Sequence, residues 1–146
     1  MALDWTELVV EQADWHWQNQ LRPRLAGLTD EEYRWEPAAG VTTIAWRIGH
    51  LVVNVFGVRV ASHFGGPAVS HPGDADTALA QLDTVYQAWI EGVQTSDLSE
   101  PCGPASGLDP DKPLAAMVLH VHRELIHHGA EIALLRDLWL RSSTVA

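Results

Sequence analysis

The stretch that decides the fold is PLAAMVLHVHRELIHHGAEIALLRDLWLR, residues 113–141. Apolar side chains recur in it every three or four residues, a spacing typical of one face of an α-helix. Proline at position 113 is favourable in the first turn of a helix, where its missing N–H group is not needed. We therefore predict a helix from about Pro113 to about Arg141, long enough to form one side of a helical bundle.

Turn signals divide the preceding sequence into three more helical blocks and one short helical turn. Strand signals are poor, because no alternating apolar runs are bounded by tight turns. The chain therefore predicts an all-α fold, an antiparallel four-helix bundle in a single domain over residues 1–146. The predicted elements run from Asp4 to Leu25, from Thr42 or Thr43 to His63, and from Asp76 to Thr95, with a turn capped by Thr29 or Asp30.

Composition excludes several classes of site and partner. The 146 residues hold 19 acidic and 9 basic side chains, a formal charge of −10, and a single cysteine. One cysteine excludes an intramolecular disulfide and a thiolate-only metal site, so histidine and carboxylate would have to hold any metal. The acidic balance argues against a nucleic-acid partner.

Localisation follows from the pattern of apolar residues. No basic segment followed by an apolar stretch stands at the start, so we expect no signal peptide. The most apolar stretch, Leu51 to Ala61, is interrupted by Asn54 and Arg59 and is too short to span a bilayer. We expect a cytoplasmic protein without a membrane partner.

A pair of residues on the last helix carries the strongest chemical signal. At 100° per residue, Glu124 and His128 lie one turn apart on the side that faces the predicted core, whereas His122 falls on the opposite face, toward solvent. Side chains at this spacing can share one metal ion. The same pair is equally compatible with a buried hydrogen bond between Glu and His, or with a solvent-facing cluster at the mouth of the bundle.

The second helix offers a further ligand in His50. Its helix is apolar on nearly every side, and a lone histidine on a buried helix is more often a hydrogen-bonded core residue than a metal ligand. Small and polar side chains on its flank, Asn54, Gly57 and Ala61, would leave a cavity of the kind that an open coordination position requires.

Several stretches together resemble the DinB-like superfamily. They are LTDEEYRWEP (residues 28–37), TIAWRIGHL (residues 43–51), RELIHHGAEI (residues 123–132) and LLRD (residues 134–137). The resemblance implies a four-helix bundle with a divalent metal near one end, held by His50, Glu124 and His128. Glu124 stands where many members have a histidine, and a set of two histidines and one carboxylate accepts zinc, nickel, iron or manganese.

The resemblance also implies a function. The family that the chain resembles has characterised members that look like isomerases, S-transferases and hydrolases using mycothiol or bacillithiol. We therefore expect a thiol-dependent S-transferase or hydrolase that acts on a small electrophile. The metal would lower the pKa of the thiol or activate water. Glu131 and His127 are the candidates for proton transfer or for orienting a ligand. A homodimer is expected, and the alternative is a non-catalytic metal-binding bundle that serves as a sensor, storage or dimerisation module.

Overall fold

The computed structural model describes residues 1–144, and over that range it is helical with no strand. This confirms the all-α class. We number five helices in chain order. They are α1 (Trp5–His16, continued by a π-helical segment, Trp17–Leu21, and a 3-10 segment, Arg22–Leu25), α2 (Asp30–Tyr33), α3 (Ile44–Phe64), α4 (Ala75–Gln94) and α5 (Leu114–Thr144). A single 3-10 turn, Pro104–Ser106, lies in the connection between α4 and α5.

Helices α2 and α3 begin where side-chain caps were predicted, and α4 begins at a cap that was not predicted. The Thr29 hydroxyl accepts a hydrogen bond from the backbone N–H of Glu32, and the Thr43 hydroxyl accepts one from Trp46. The Asp74 carboxylate does the same at the start of α4. Such caps satisfy N–H groups that the first turn of a helix leaves unpaired, and this is why the predicted helix bounds agree with the structure to within a few residues.

The directions of the helices differ from a simple antiparallel bundle. His16 packs against Gly129, and further along the same two helices Arg24 bonds Asp137, so α1 and α5 run parallel. On α3 and α4, Phe56 lies beside Tyr86, and further along both helices Phe64 lies beside Gly92. Helices α3 and α4 therefore also run parallel.

A crossover segment, residues 65–74, makes the parallel packing of α3 and α4 possible. It leaves the end of α3 at Gly65, whose φ of 70° is left-handed, and returns along the same helix. Val69 lies against Gly57, and His71 lies against Gly49, nearer the start of α3. The segment thus carries the chain back to the end of the bundle from which α4 begins.

Helix α3 is the central helix of the core. By length and composition its 21 residues could cross a membrane, whereas the sequence predicted that the apolar stretch is too short to do so. Most of that helix is buried inside the protein, and its two arginines, Arg47 and Arg59, are both bonded internally. These features are consistent with the core helix of a soluble protein.

Residues 50–57 of α3 are π-helical, and His50 begins that segment. The Arg59 guanidinium donates to the backbone carbonyls of Asn54 and Val55, which lie in this wider turn. Gly57 ends the segment, and a methyl group there would clash with the backbone oxygen of Val52. Where the helix widens, the chain therefore supplies a hydrogen-bond donor, Arg59, and a residue without a side chain, Gly57. Such π-helical segments are frequent near functional sites.

The predicted position of His122 is wrong. The residue is 1% exposed, and the indole N–H of Trp89 donates to its Nε2 atom at 2.9 Å. Helix α5 is buried over a wider arc than its large apolar side chains indicate, because small residues such as Gly129 let α1 approach on a second side. Burial lowers the pKa of His122 to about 4, so the ring is neutral at neutral pH.

Candidate metal centre

Three side chains from α3 and α5 converge near the start of the π-helical segment. The His128 Nε2 atom lies 3.1 Å from Oε2 of Glu124, and the His50 Nε2 atom lies 3.9 Å from the same oxygen. One ligand atom from each of the three residues lies within 4.8 Å of the others. The structure thus brings together the three residues that the resemblance implied as metal ligands.

The spacing and chemistry of these atoms fit a divalent cation. Ligand atoms about 2.0–2.1 Å from a tetrahedral zinc ion lie roughly 3.3 Å from one another, between the two separations observed here. The three side chains are between 12% and 28% exposed, so they are mostly covered but open on one side. Two imidazoles and one carboxylate form a donor set that accepts several first-row metals.

The orientation of His128 is set by a hydrogen-bonded chain. Its Nδ1 atom lies 2.6 Å from Oε1 of Glu131, and Oε2 of Glu131 lies 3.1 Å from the guanidinium of Arg47. Burial would raise the pKa of Glu131, but hydrogen bonds from Arg47 and His128 outweigh it and hold that pKa below its ordinary value. The ionised carboxylate accepts the Nδ1 proton, so the lone pair of His128 is on Nε2, toward Glu124.

His50 is held between an aromatic ring and polar neighbours. The Trp46 indole stacks on its imidazole, with ring centres 5.0 Å apart and planes 7° apart. The Asn54 side chain, one turn further on, also bonds the ring. Burial and the neighbouring His128 lower the pKa of His50. The ring is therefore neutral at neutral pH, which is the form that binds metals.

The other predicted site residue, His127, lies outside the three-ligand group. Its side chain is 66% exposed, and its Nε2 atom is 3.7 Å from Oε1 of Glu131. His127, His128 and Glu131 form a second group of potential ligand atoms within 4.8 Å, but it shares His128 with the first group and lies on α5 alone. His120 is also outside, and its Nδ1 atom accepts a hydrogen bond from Arg123 at 2.7 Å.

Two residues that bond the site were not predicted as site residues, although the sequence placed Asn54 on the flank of His50. Arg47 lies three residues before His50 and is 8% exposed, and it also donates to the backbone carbonyl of Thr42. Asn54 lies four residues after His50. The usable signal was a charged and an amide side chain, each one turn from a histidine on an otherwise apolar helix.

Comparison with known protein families identifies a match. The model of the DinB superfamily matches residues 12–132, which include every residue of the hydrogen-bonded site. No curated protein and no solved structure matches the chain. The matched range covers most of the sequence, and the chain therefore belongs to the DinB superfamily.

Proposed function

We infer that the chain is a metal-dependent enzyme, a thiol S-transferase or hydrolase that acts on a small electrophile with a mycothiol-type thiol as cosubstrate. The observation that carries this inference is the convergence of His50, Glu124 and His128 beside the chain of hydrogen bonds through Glu131 to Arg47. A purely structural Glu–His pair would not require a second histidine from another helix, nor a partner that fixes the ring.

The chain's own residues would hold and orient the reacting groups. His50, Glu124 and His128 are the ligands, and zinc, nickel, iron and manganese are the candidate metals. When bound, such an ion supplies a Lewis acid that lowers the pKa of a thiol or of water. Glu131 keeps the proton of His128 on Nδ1.

His127 is the proposed route for protons between the site and solvent. It is exposed, and it lies 3.7 Å from the carboxylate oxygen of Glu131 that also bonds His128. An imidazole in such a position can exchange a proton with Glu131 and pass it to solvent. Glu131 and His127 are therefore the proposed proton-transfer residues.

The single cysteine of the chain supports an external thiol. Cys102 is 3% exposed, and its sulfur donates to the hydroxyl of Ser106 in the connection between α4 and α5. A buried, hydrogen-bonded thiol in a loop core cannot reach an electrophile in solution. A thiol nucleophile would have to arrive with a cosubstrate such as mycothiol or bacillithiol.

Two measurements test this proposal. Elemental analysis of the purified protein should find one divalent metal per chain, and the variant His50→Ala should lose it. Mycothiol or bacillithiol should then raise the melting temperature of the metal-loaded protein and shift the visible spectrum of the cobalt-substituted protein. Metal binding without any response to either thiol would contradict the enzyme proposal and favour the sensor, storage or dimerisation module.

We also propose that the protein is a cytoplasmic homodimer. Exposed apolar side chains on α1, with Trp5 at 66% and Trp15 at 58% exposed, support an association between copies. Light scattering coupled to size-exclusion chromatography tests this, and a mass of one chain at micromolar concentration would contradict it.

A further inference from the structure

A cavity of about 540 Å³ lies beside the metal centre, on the far side of Glu131. We call it the apolar cavity. One wall is the connection from α2 to α3, with Trp35 and Val41, and the other is the last part of α5, with Leu134 and Leu138. Arg47 and Glu131 also line it. Its volume is in the range of sites that bind small organic molecules.

The walls of the apolar cavity are fixed without a ligand. Trp35 meets Trp139 edge to face, with ring centres 5.5 Å apart. The turn that carries Val41 is closed by two hydrogen bonds, from the Gly40 N–H to Glu36 and from the Val41 N–H to Ala38. A preformed site loses little conformational entropy when a ligand enters.

The apolar side chains of these walls remain largely uncovered. Leu134 is 59% exposed, Leu138 is 44% exposed and Val41 is 39% exposed. Exposed apolar side chains grouped around a concave surface, unlike scattered ones, mark a binding site. An apolar occupant would remove them from water.

The charges that line the cavity neutralise each other. Arg47 and Glu131 form an ion pair at 3.1 Å, and Arg47 is 8% exposed. A charged occupant would gain no unpaired partner from this pair and would lose its hydration against apolar walls. The electrostatics therefore favour an uncharged molecule.

Glu131 connects the apolar cavity to the metal centre. The same carboxylate that lines the cavity accepts the Nδ1 proton of His128, whose other nitrogen faces Glu124 and His50. A molecule in the cavity therefore lies one side chain away from the metal ligands. Resting on the function inferred above, we propose that the apolar cavity binds the uncharged, apolar portion of the electrophilic substrate.

A fluorescence titration with N-phenyl-1-naphthylamine, an uncharged apolar probe, tests the proposal. The probe should bind at one saturable site, and Leu138→Gln should weaken binding at least tenfold. Leu119→Gln is the matched control, because Leu119 is a similarly exposed leucine on the same helix but does not line the cavity. Unchanged binding in Leu138→Gln, or an equal loss in Leu119→Gln, would overturn the proposal.

Two further arms separate the alternatives. The first arm uses high salt, which screens the overall negative charge of the protein. Under this condition the sulfonated analogue 1-anilinonaphthalene-8-sulfonate should bind more weakly than the uncharged probe. Tighter binding of the sulfonated analogue would refute an uncharged occupant. Release of the probe when the protein dimerises would assign the cavity to a second copy of the chain and overturn the small-molecule proposal.

The His50→Ala variant keeps this test independent of the metal. It should bind the probe as the wild type does while losing the metal, so failure of the metal-dependent function leaves probe binding intact. Conversely, Leu138→Gln should bind zinc with unchanged affinity, so loss of probe binding there speaks only to the apolar cavity. Loss of probe binding in His50→Ala would overturn the placement of the occupant in this cavity.

Discussion

Glu131 connects three parts of the site. It accepts hydrogen bonds from a metal-ligand candidate on its own helix and from an arginine on α3, and it also lines the apolar cavity. The sequence named Glu131 as a candidate for orienting a ligand, but its partner Arg47 lies 84 positions away in the chain. Contacts between residues so far apart depend on how the helices pack, and helical periodicity does not contain that information.

Replacing Glu131 with glutamine should weaken metal binding. The amide keeps the size of the side chain but removes the negative charge that holds the Nδ1 proton of His128, so we expect zinc affinity to fall about 10–100-fold. Competition with a chromophoric chelator measures this. Asp137→Asn is the control, because it removes a carboxylate from the same helix at an exposed ion pair and should leave zinc affinity unchanged. Equal affinity in both variants would contradict the role of Glu131.

His122 should make the stability of the metal-free protein depend on pH. Its folded-state pKa of about 4 lies below the ordinary value of 6.5, so the unfolded chain takes up the proton first as the pH falls. The contribution of the neutral ring is complete above pH 6.5, declines by about 3 kcal/mol toward pH 4, and changes little below it. Urea unfolding in the presence of a chelator measures the free energy at each pH.

The variant His122→Gln isolates this effect, because glutamine does not titrate. The difference in unfolding free energy between wild type and His122→Gln should shrink as the pH falls from 6.5 to 4. A constant difference for His122→Gln would show that burial does not keep this ring neutral.

At the scale of helices, sequence predicted the extents well and the directions poorly. Caps such as Thr43 and breaks such as Gly65 are local, so the bounds of the helices follow from nearby residues. The path of residues 65–74 along α3 depends on contacts of Val69 and His71 with two glycines, and a loop without a motif does not reveal it. The π-helical segment was also missed, because an analysis at 100° per residue assumes a regular α-helix.

Where α3 packs against the crossover segment, Gly57 should be the position most sensitive to substitution. A methyl group there would meet the Val52 carbonyl in the same helix and the Val69 side chain of the crossover segment, so Gly57→Ala should destabilise the protein by about 1–3 kcal/mol. Urea unfolding measures the change. Gly73→Ala, where no atom lies within 4 Å of the added methyl, should be nearly neutral. Equal stabilities would contradict the close packing of Gly57 against Val52 and Val69.

For the whole molecule, the metal centre should couple to global stability, because its ligands come from two different helices. Zinc at about a hundred times its dissociation constant should stabilise the fold by about 2.7 kcal/mol, which raises the melting temperature by roughly 5–10 °C for a chain of this size. Differential scanning calorimetry measures the shift. His50→Ala should abolish most of it and His63→Ala should retain it, and an equal shift in both would place the zinc elsewhere.

The stack of Trp46 on His50 gives the protein an optical signal of its own. Seven tryptophans emit together, but Trp46 is the one with an indole in face-to-face contact with a ligand candidate among the described residues. Zinc has a filled d shell and leaves indole emission largely intact, whereas nickel and iron have partly filled shells that quench it. The extent to which metal addition lowers the fluorescence would therefore distinguish which kind of ion the protein holds, without any label. The Trp46→Phe variant should not show this decrease.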